Sequence, residues 1–102
     1  SMYVYRDPAV PIEESVGETF AIALQSIPST GYVWRAEFDA SVLELSAGPR
    51  MVPRPSTIGG GGEELFEFEA LQATETLITM NYQREWEKKP RKTELFQVHI
   101  AH

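Results

Sequence analysis

An all-β sandwich of about seven strands is the fold this sequence predicts, and three observations predict it. Apolar and polar residues alternate with period two along most of the 102 residues. Turn-forming Gly, Pro, Ser and Asp punctuate those stretches at short intervals. No stretch carries the 3.6-residue apolar period of an amphipathic helix.

Each element follows from its own pattern. Val10 to Ile12 is a short first strand. Thr19 to Gln25 turns Phe20, Ile22 and Leu24 one way and Thr19, Ala21, Ala23 and Gln25 the other, as a half-buried strand does. Gly31 to Phe38 sets Tyr32, Trp34, Ala36 and Phe38 on one face, and Val42 to Ser46 is a shorter candidate. Gly48 to Pro55 holds three prolines, so any strand there lies at an edge. Glu63 to Ala70 alternates most sharply, Phe66 and Phe68 against Glu67 and Glu69. Thr76 to Tyr82 aligns Thr76, Ile78, Met80 and Tyr82, and Thr93 to Ala101 closes with Leu95, Phe96, Val98 and Ile100. Seven short strands with Trp34 on a central one suit a sandwich of immunoglobulin type.

One domain covering 1–102 is expected, with residues 1–8 as a cloning remnant or a loosely ordered N-terminal segment. No cysteine is present, so disulfides, thiolate chemistry and cysteine zinc sites are excluded. The net charge of -6 argues against nucleic acid, which requires a basic footprint. No run reaches the roughly 18 apolar residues of a membrane helix, and no signal peptide is visible. An exported location, periplasmic or extracellular, is expected, with the cytoplasm as the alternative. His99 and His102 have no partners in the sequence that suggest a metal site or a triad, and Asp7, Glu13, Glu14 and Glu18 lack calcium-loop spacing. Neither metal, cofactor nor catalytic residue is expected.

Three segments between strands carry the functional signal, since function concentrates in loops held by rigid scaffolds. In Pro28-Ser29-Thr30-Gly31-Tyr32, Pro28 fixes its own φ, the two hydroxyls are suited to bracing a turn, and Gly31 permits positive φ. Gly59-Gly60-Gly61-Gly62 is either a slack hairpin loop or a strip of bare backbone open to a partner. A phosphate cradle does not fit, because no Lys-Ser/Thr follows and a strand stands where a helix is needed. In Arg84-Glu85-Trp86, Trp86 is either tucked under the loop or exposed, and exposed Trp and Arg are the commonest binding hot spots. In an immunoglobulin-like topology the first and third segments share one end of the sandwich, and the second approaches the same rim. Arg84, Lys88, Lys89, Arg91 and Lys92 crowd one stretch, interrupted by Glu85 and Glu87: a solvated loop, or guidance toward an acidic partner.

With these motifs in this order, the chain resembles the chagasin family of cysteine-protease inhibitors over Val16 to Ala101. That family is marked by Asn-Pro-Thr-Thr-Gly-Tyr/Phe, by Gly-X-Gly-Gly ahead of a Phe-X-Phe strand, and by Arg-Pro-Trp. Here these stand as Ile27-Pro28-Ser29-Thr30-Gly31-Tyr32, as Gly59-Gly60-Gly61-Gly62 before Phe66 and Phe68, and as Arg84-Glu85-Trp86. Two positions depart: Ile27 replaces the family Asn, and Glu85 replaces the family Pro. The resemblance implies an immunoglobulin-like sandwich, monomeric when free, that reversibly inhibits papain-like cysteine proteases. It implies that Ser29-Thr30-Gly31 sits over the catalytic cysteine, that the glycines run along the substrate groove, and that Arg84 and Trp86 grip the far side of the cleft. The alternative is an immunoglobulin-like structural or adhesive module without a protease target, since fold alone does not fix function.

Overall fold

The computed structural model describes residues 2–53 and 61–102. Eight strands form in chain order: β1 (Tyr3–Tyr5), β2 (Ile12–Ser15), β3 (Thr19–Ser26), β4 (Tyr32–Glu37), β5 (Leu43–Pro53), β6 (Gly62–Ala70), β7 (Thr74–Arg84) and β8 (Lys92–Ala101). They make two four-stranded sheets, in the orders β1-β3-β6-β5 and β2-β8-β7-β4. Neighbours are antiparallel except that β1 runs parallel to β3 and β2 parallel to β8.

The expected alternation is what builds the core. Phe20, Ile22 and Leu24 of β3, Phe66, Phe68 and Ala70 of β6, and Leu43 of β5 line one inner face. Ile12, Trp34, Ile78, Met80, Phe96, Val98 and Ile100 line the other. Phe20, Phe66, Phe68 and Phe96 lose essentially all solvent contact, and each such side chain contributes about 2–3 kcal/mol through burial.

Trp34 is buried as expected, but β4 is an edge strand, not a central one, and three further details differ from the sequence expectation, each for a physical reason. The described residues form eight strands, because the chain before Thr19 contributes one short piece to each sheet, β1 and then β2, which spans Ile12–Ser15 and not Val10–Ile12. Tyr3–Tyr5 is ordered against Phe20–Ile22, and the Tyr5 hydroxyl crosses to β2, donating to Glu14 Oε2 at 2.7 Å. Burial and then that bond push the Tyr5 phenol up to about 12. Second, β5 runs unbroken from Leu43 to Pro53 through its prolines; they are tolerated because β5 is the sheet edge and its register slips between Leu45 and Arg50. Third, Leu95 is exposed, because it stands out of phase with Phe96, Val98 and Ile100 and so faces away from the core.

The register also decides where the connectors lie. Ser26 of β3 and Pro53 of β5 both pair with Gly62 of β6. Tyr32 of β4 pairs with Arg84 of β7. The β3–β4 turn, the ends of β5 and β6, and the β7–β8 loop therefore share one end of the sandwich. At the other end the turn at Gly17, the Asp39–Val42 link and the β6–β7 turn are tied together, with Gly17 N–H donating to Ala70 O at 2.8 Å and Leu71 N–H to Val42 O at 2.8 Å.

Candidate functional site

The β3–β4 connector is a single 3₁₀ turn over Pro28–Thr30, started by the fixed φ of Pro28 and ended by Gly31 at φ 82. Its bracing comes from Thr30. The Thr30 amide and hydroxyl both donate to Ile27 O, at 3.1 and 2.6 Å, and the hydroxyl oxygen accepts from the Tyr32 N–H at 3.3 Å. Gly31 N–H donates to Pro28 O at 2.9 Å. Ser29 is exposed at the apex. Ile27 has extended geometry (φ -122, ψ 93), and its carbonyl, supplied by any residue, carries the turn.

Arg84 holds this turn from the neighbouring strand. Its Nε donates to Thr30 O at 3.1 Å, and its guanidinium lies 4.5 Å from the Tyr32 ring centre and 5.8 Å from that of Trp86. Arg91 covers the same Tyr32 ring at 5.4 Å. Beneath them Tyr32 stacks on Tyr82 at 5.2 Å, and Tyr82 meets Trp34 at 4.7 Å. The Trp34 indole N–H donates to Gln25 O at 2.9 Å, and the Ile27 amide donates to the Tyr82 hydroxyl at 3.4 Å. Stacked cation and ring contacts of this kind add to simple burial, so the turn stands on a stiff aromatic column.

The β7–β8 loop turns at Arg84–Glu87. Glu87 closes it twice: its amide donates to Arg84 O at 3.1 Å, and its carboxylate accepts from the Arg84 amide at 3.2 Å. The closure does not depend on Glu85, the position that departs from the family pattern. Trp86 projects from the tip, 73% exposed, yet lies beside Gly31, where an added Cβ would be 3.6 Å from its ring.

Gly59 and Gly60 lie outside the described residues. Gly61 and Gly62 are buried, which differs from the expectation of an open backbone strip. At Gly62 the reason is packing: a Cβ would overlap the Val52 carbonyl oxygen in β5. Below this end sits a group that sequence reasoning missed. Glu64 is only 6% exposed and faces inward, and both its carboxylate oxygens accept from the Trp34 amide at 3.3 Å. Burial pushes its carboxyl up from the usual range, opposed by the hydrogen bonds from the Trp34 amide. The signal was present, because Glu64 is in phase with Phe66 and Phe68. Glu63, one residue out of phase, points outward to Arg6 at 2.8 Å.

The arrangement presents a rigid turn, the Gly62 end of β6 and an exposed indole on one edge. Among the described residues it offers no nucleophile paired with a base, and no cluster of three or more His, Cys, Asp or Glu that could hold a metal ion. An exposed indole beside an arginine-held turn has the composition of a binding edge.

Comparison with known proteins identifies the family and agrees with the fold. The family model described as chagasin family peptidase inhibitor I42 matches residues 14–100. Amoebiasin-2 of Entamoeba histolytica is 32% identical over 76 residues, 72% of this chain; the match spans 62% of that relative's own length. Among solved structures, the cysteine protease inhibitor EhICP2 from Entamoeba histolytica superposes with a TM-score of 0.80 at 23% identity, over 98% of this chain and 97% of that one. Amebosin gives a TM-score of 0.68 at 22% identity over 99% of both chains. PbICP-C, solved in complex with falcipain-2, gives 0.58 at 16% identity over 99% of this chain and 90% of that one.

Proposed function

The chain belongs to the chagasin family of peptidase inhibitors, and from that premise we propose that it reversibly inhibits papain-like cysteine proteases by occupying the active-site cleft. In this reading the Ser29-Thr30-Gly31 turn enters the cleft over the catalytic cysteine. Pro28 and Tyr32 set its approach, the segment that carries Gly59 and Gly60 follows the substrate groove, and Arg84 and Trp86 take the far wall.

The observation that carries the proposal is the Arg84–Thr30 bond, which joins two of the three connectors into one body. A wedge that is already rigid loses little conformational freedom on binding. Its apex peptide is held by Thr30 hydrogen bonds inside a 3₁₀ turn, whereas a protease substrate is bound extended. The cleft is filled without a correctly placed scissile carbonyl. Three connectors suffice for a standard interface of about 800 Å² per partner.

Titration of papain with the purified protein, followed by intact-mass analysis, tests this. The expected result is tight, competitive, reversible inhibition with the inhibitor mass unchanged. Progressive cleavage at Thr30-Gly31 would make the protein a substrate, and no effect on a panel of papain-like enzymes would end the proposal.

A further inference from the structure

The charge on this molecule is divided between its two ends. Residues 84–92 hold five Lys and Arg against two Glu, a net charge of +3, which leaves -9 on the rest of the chain. Among the described residues none of the five cations, Arg84, Lys88, Lys89, Arg91 and Lys92, is within ion-pair distance of a carboxylate, whereas Arg6 is paired with Glu63 and Arg50 with Glu67. Lys88, Lys89, Arg91 and Lys92 are exposed. Of the acids at the same end, Glu64 is buried, Glu63 holds Arg6 and Glu87 closes the loop on the Arg84 amide, which leaves Glu85 as the exposed acid among residues 84–92. The opposite end carries Glu13, Glu18, Asp39, Glu44, Glu69 and Glu75, as the register of β2, β5, β6 and β7 places them. Glu75 and Arg84 lie nine residues apart on β7, roughly 30 Å at about 3.3 Å per residue. That exceeds the Debye length of about 8 Å at physiological salt, so a partner close to one end feels that end and not the net charge.

We propose that the basic β7–β8 loop is a steering surface, and that the preferred target is a papain-like protease whose cleft rim is acidic. The inference rests on the inhibitory reading above and adds the class of target. Lys88, Lys89 and Lys92 act at long range: they orient the approaching molecule so that the wedge, not the acidic end, faces the cleft. Such charges raise the association rate and leave dissociation nearly unchanged.

The test is stopped-flow association of the wild type and of K88Q/K89Q/K92Q with two papain-like proteases of known structure, one with an acidic and one with a basic cleft rim. With the acidic-rimmed enzyme at low salt, the variant is expected to associate about tenfold more slowly and to dissociate at the wild-type rate. The difference is expected to vanish near 1 M salt, where the Debye length is about 3 Å. The wild type is expected to associate faster with the acidic-rimmed enzyme than with the basic-rimmed one. Equal association rates for variant and wild type, or a loss confined to dissociation, would overturn steering while leaving inhibition intact. Failure of the wild type to inhibit either enzyme would overturn the inhibitory reading and the steering proposal with it. Unchanged melting of the variant separates these outcomes from misfolding.

Discussion

The Arg84 side chain donates from Nε to the backbone oxygen of Thr30 at 3.1 Å, joining residues 54 positions apart in the chain. The same guanidinium lies over Tyr32 and near Trp86. One side chain thus sets the angle between the β3–β4 turn and the β7–β8 loop.

Arg84→Lys retains the charge but loses both the planar stack and the Nε geometry. It is expected to weaken papain inhibition by about tenfold, about 1.4 kcal/mol, because a turn no longer held by residue 84 must be ordered on binding. Amide exchange at Thr30 and Gly31 should quicken while global stability shifts by less than about 1 kcal/mol. Wild-type inhibition by the lysine variant would remove this bond from the mechanism.

Gly62→Ala should damage the fold itself. The new Cβ would meet the Val52 carbonyl oxygen, which belongs to the paired strand and has nowhere to move. A loss of more than about 2 kcal/mol in urea unfolding is expected. Gly31→Ala should cost only about 1–2 kcal/mol, since its strain is the φ of 82 and its nearest neighbour is the Trp86 ring in ordinary contact at 3.6 Å. Reversal of that order would mean the glycines serve other needs.

Trp86→Ala separates binding from folding. The side chain is 73% exposed, so melting should move by no more than the equivalent of about 0.5 kcal/mol. The inhibition constant should rise by about 2 kcal/mol or more, as for a hot-spot tryptophan. An unchanged constant would exclude Trp86 from the interface.

The Glu64 carboxyl is pushed above its ordinary 4.5 mainly by burial. Between the unfolded and folded values the native protein holds the extra proton, so stability from this group is complete below 4.5 and is lost as pH rises through the folded value. Glu64→Gln should therefore raise the melting temperature at neutral pH, with the gain shrinking toward pH 4, because the amide oxygen still accepts from Trp34. A variant less stable at pH 7 would show that the charged form is the favoured one.

The alternation of Phe66 and Phe68 with Glu67 and Glu69, and of Phe20, Ile22 and Leu24 with their neighbours, made the two inner faces legible, because period two has a single structural meaning on a half-buried sheet. The common end of the connectors followed from strand order. Tyr3–Tyr5 was not legible: three residues give no period, and their order comes from pairing with a strand that begins sixteen residues later. The prolines of β5 pointed to an edge strand, which it is, but not to its continuity with Leu43–Ser46 across the register slip. Glu64 was hidden by its charge, although its phase placed it inside. The roles of Arg84 and Arg91 on Tyr32 arise from pairing Tyr32 with Arg84 and Tyr82 with Lys92, which no local pattern displays.

The central claim is that one end of the sandwich enters the protease. Amide hydrogen exchange of the inhibitor, free and bound to papain, reads this directly. The account predicts slowed exchange at Thr30, Gly31, Tyr32 and Glu85–Trp86, with no change at Gly17, Ser41 or Leu71. Protection at Gly17, Ser41 and Leu71, with Thr30 and Trp86 exchanging as in the free protein, would contradict it.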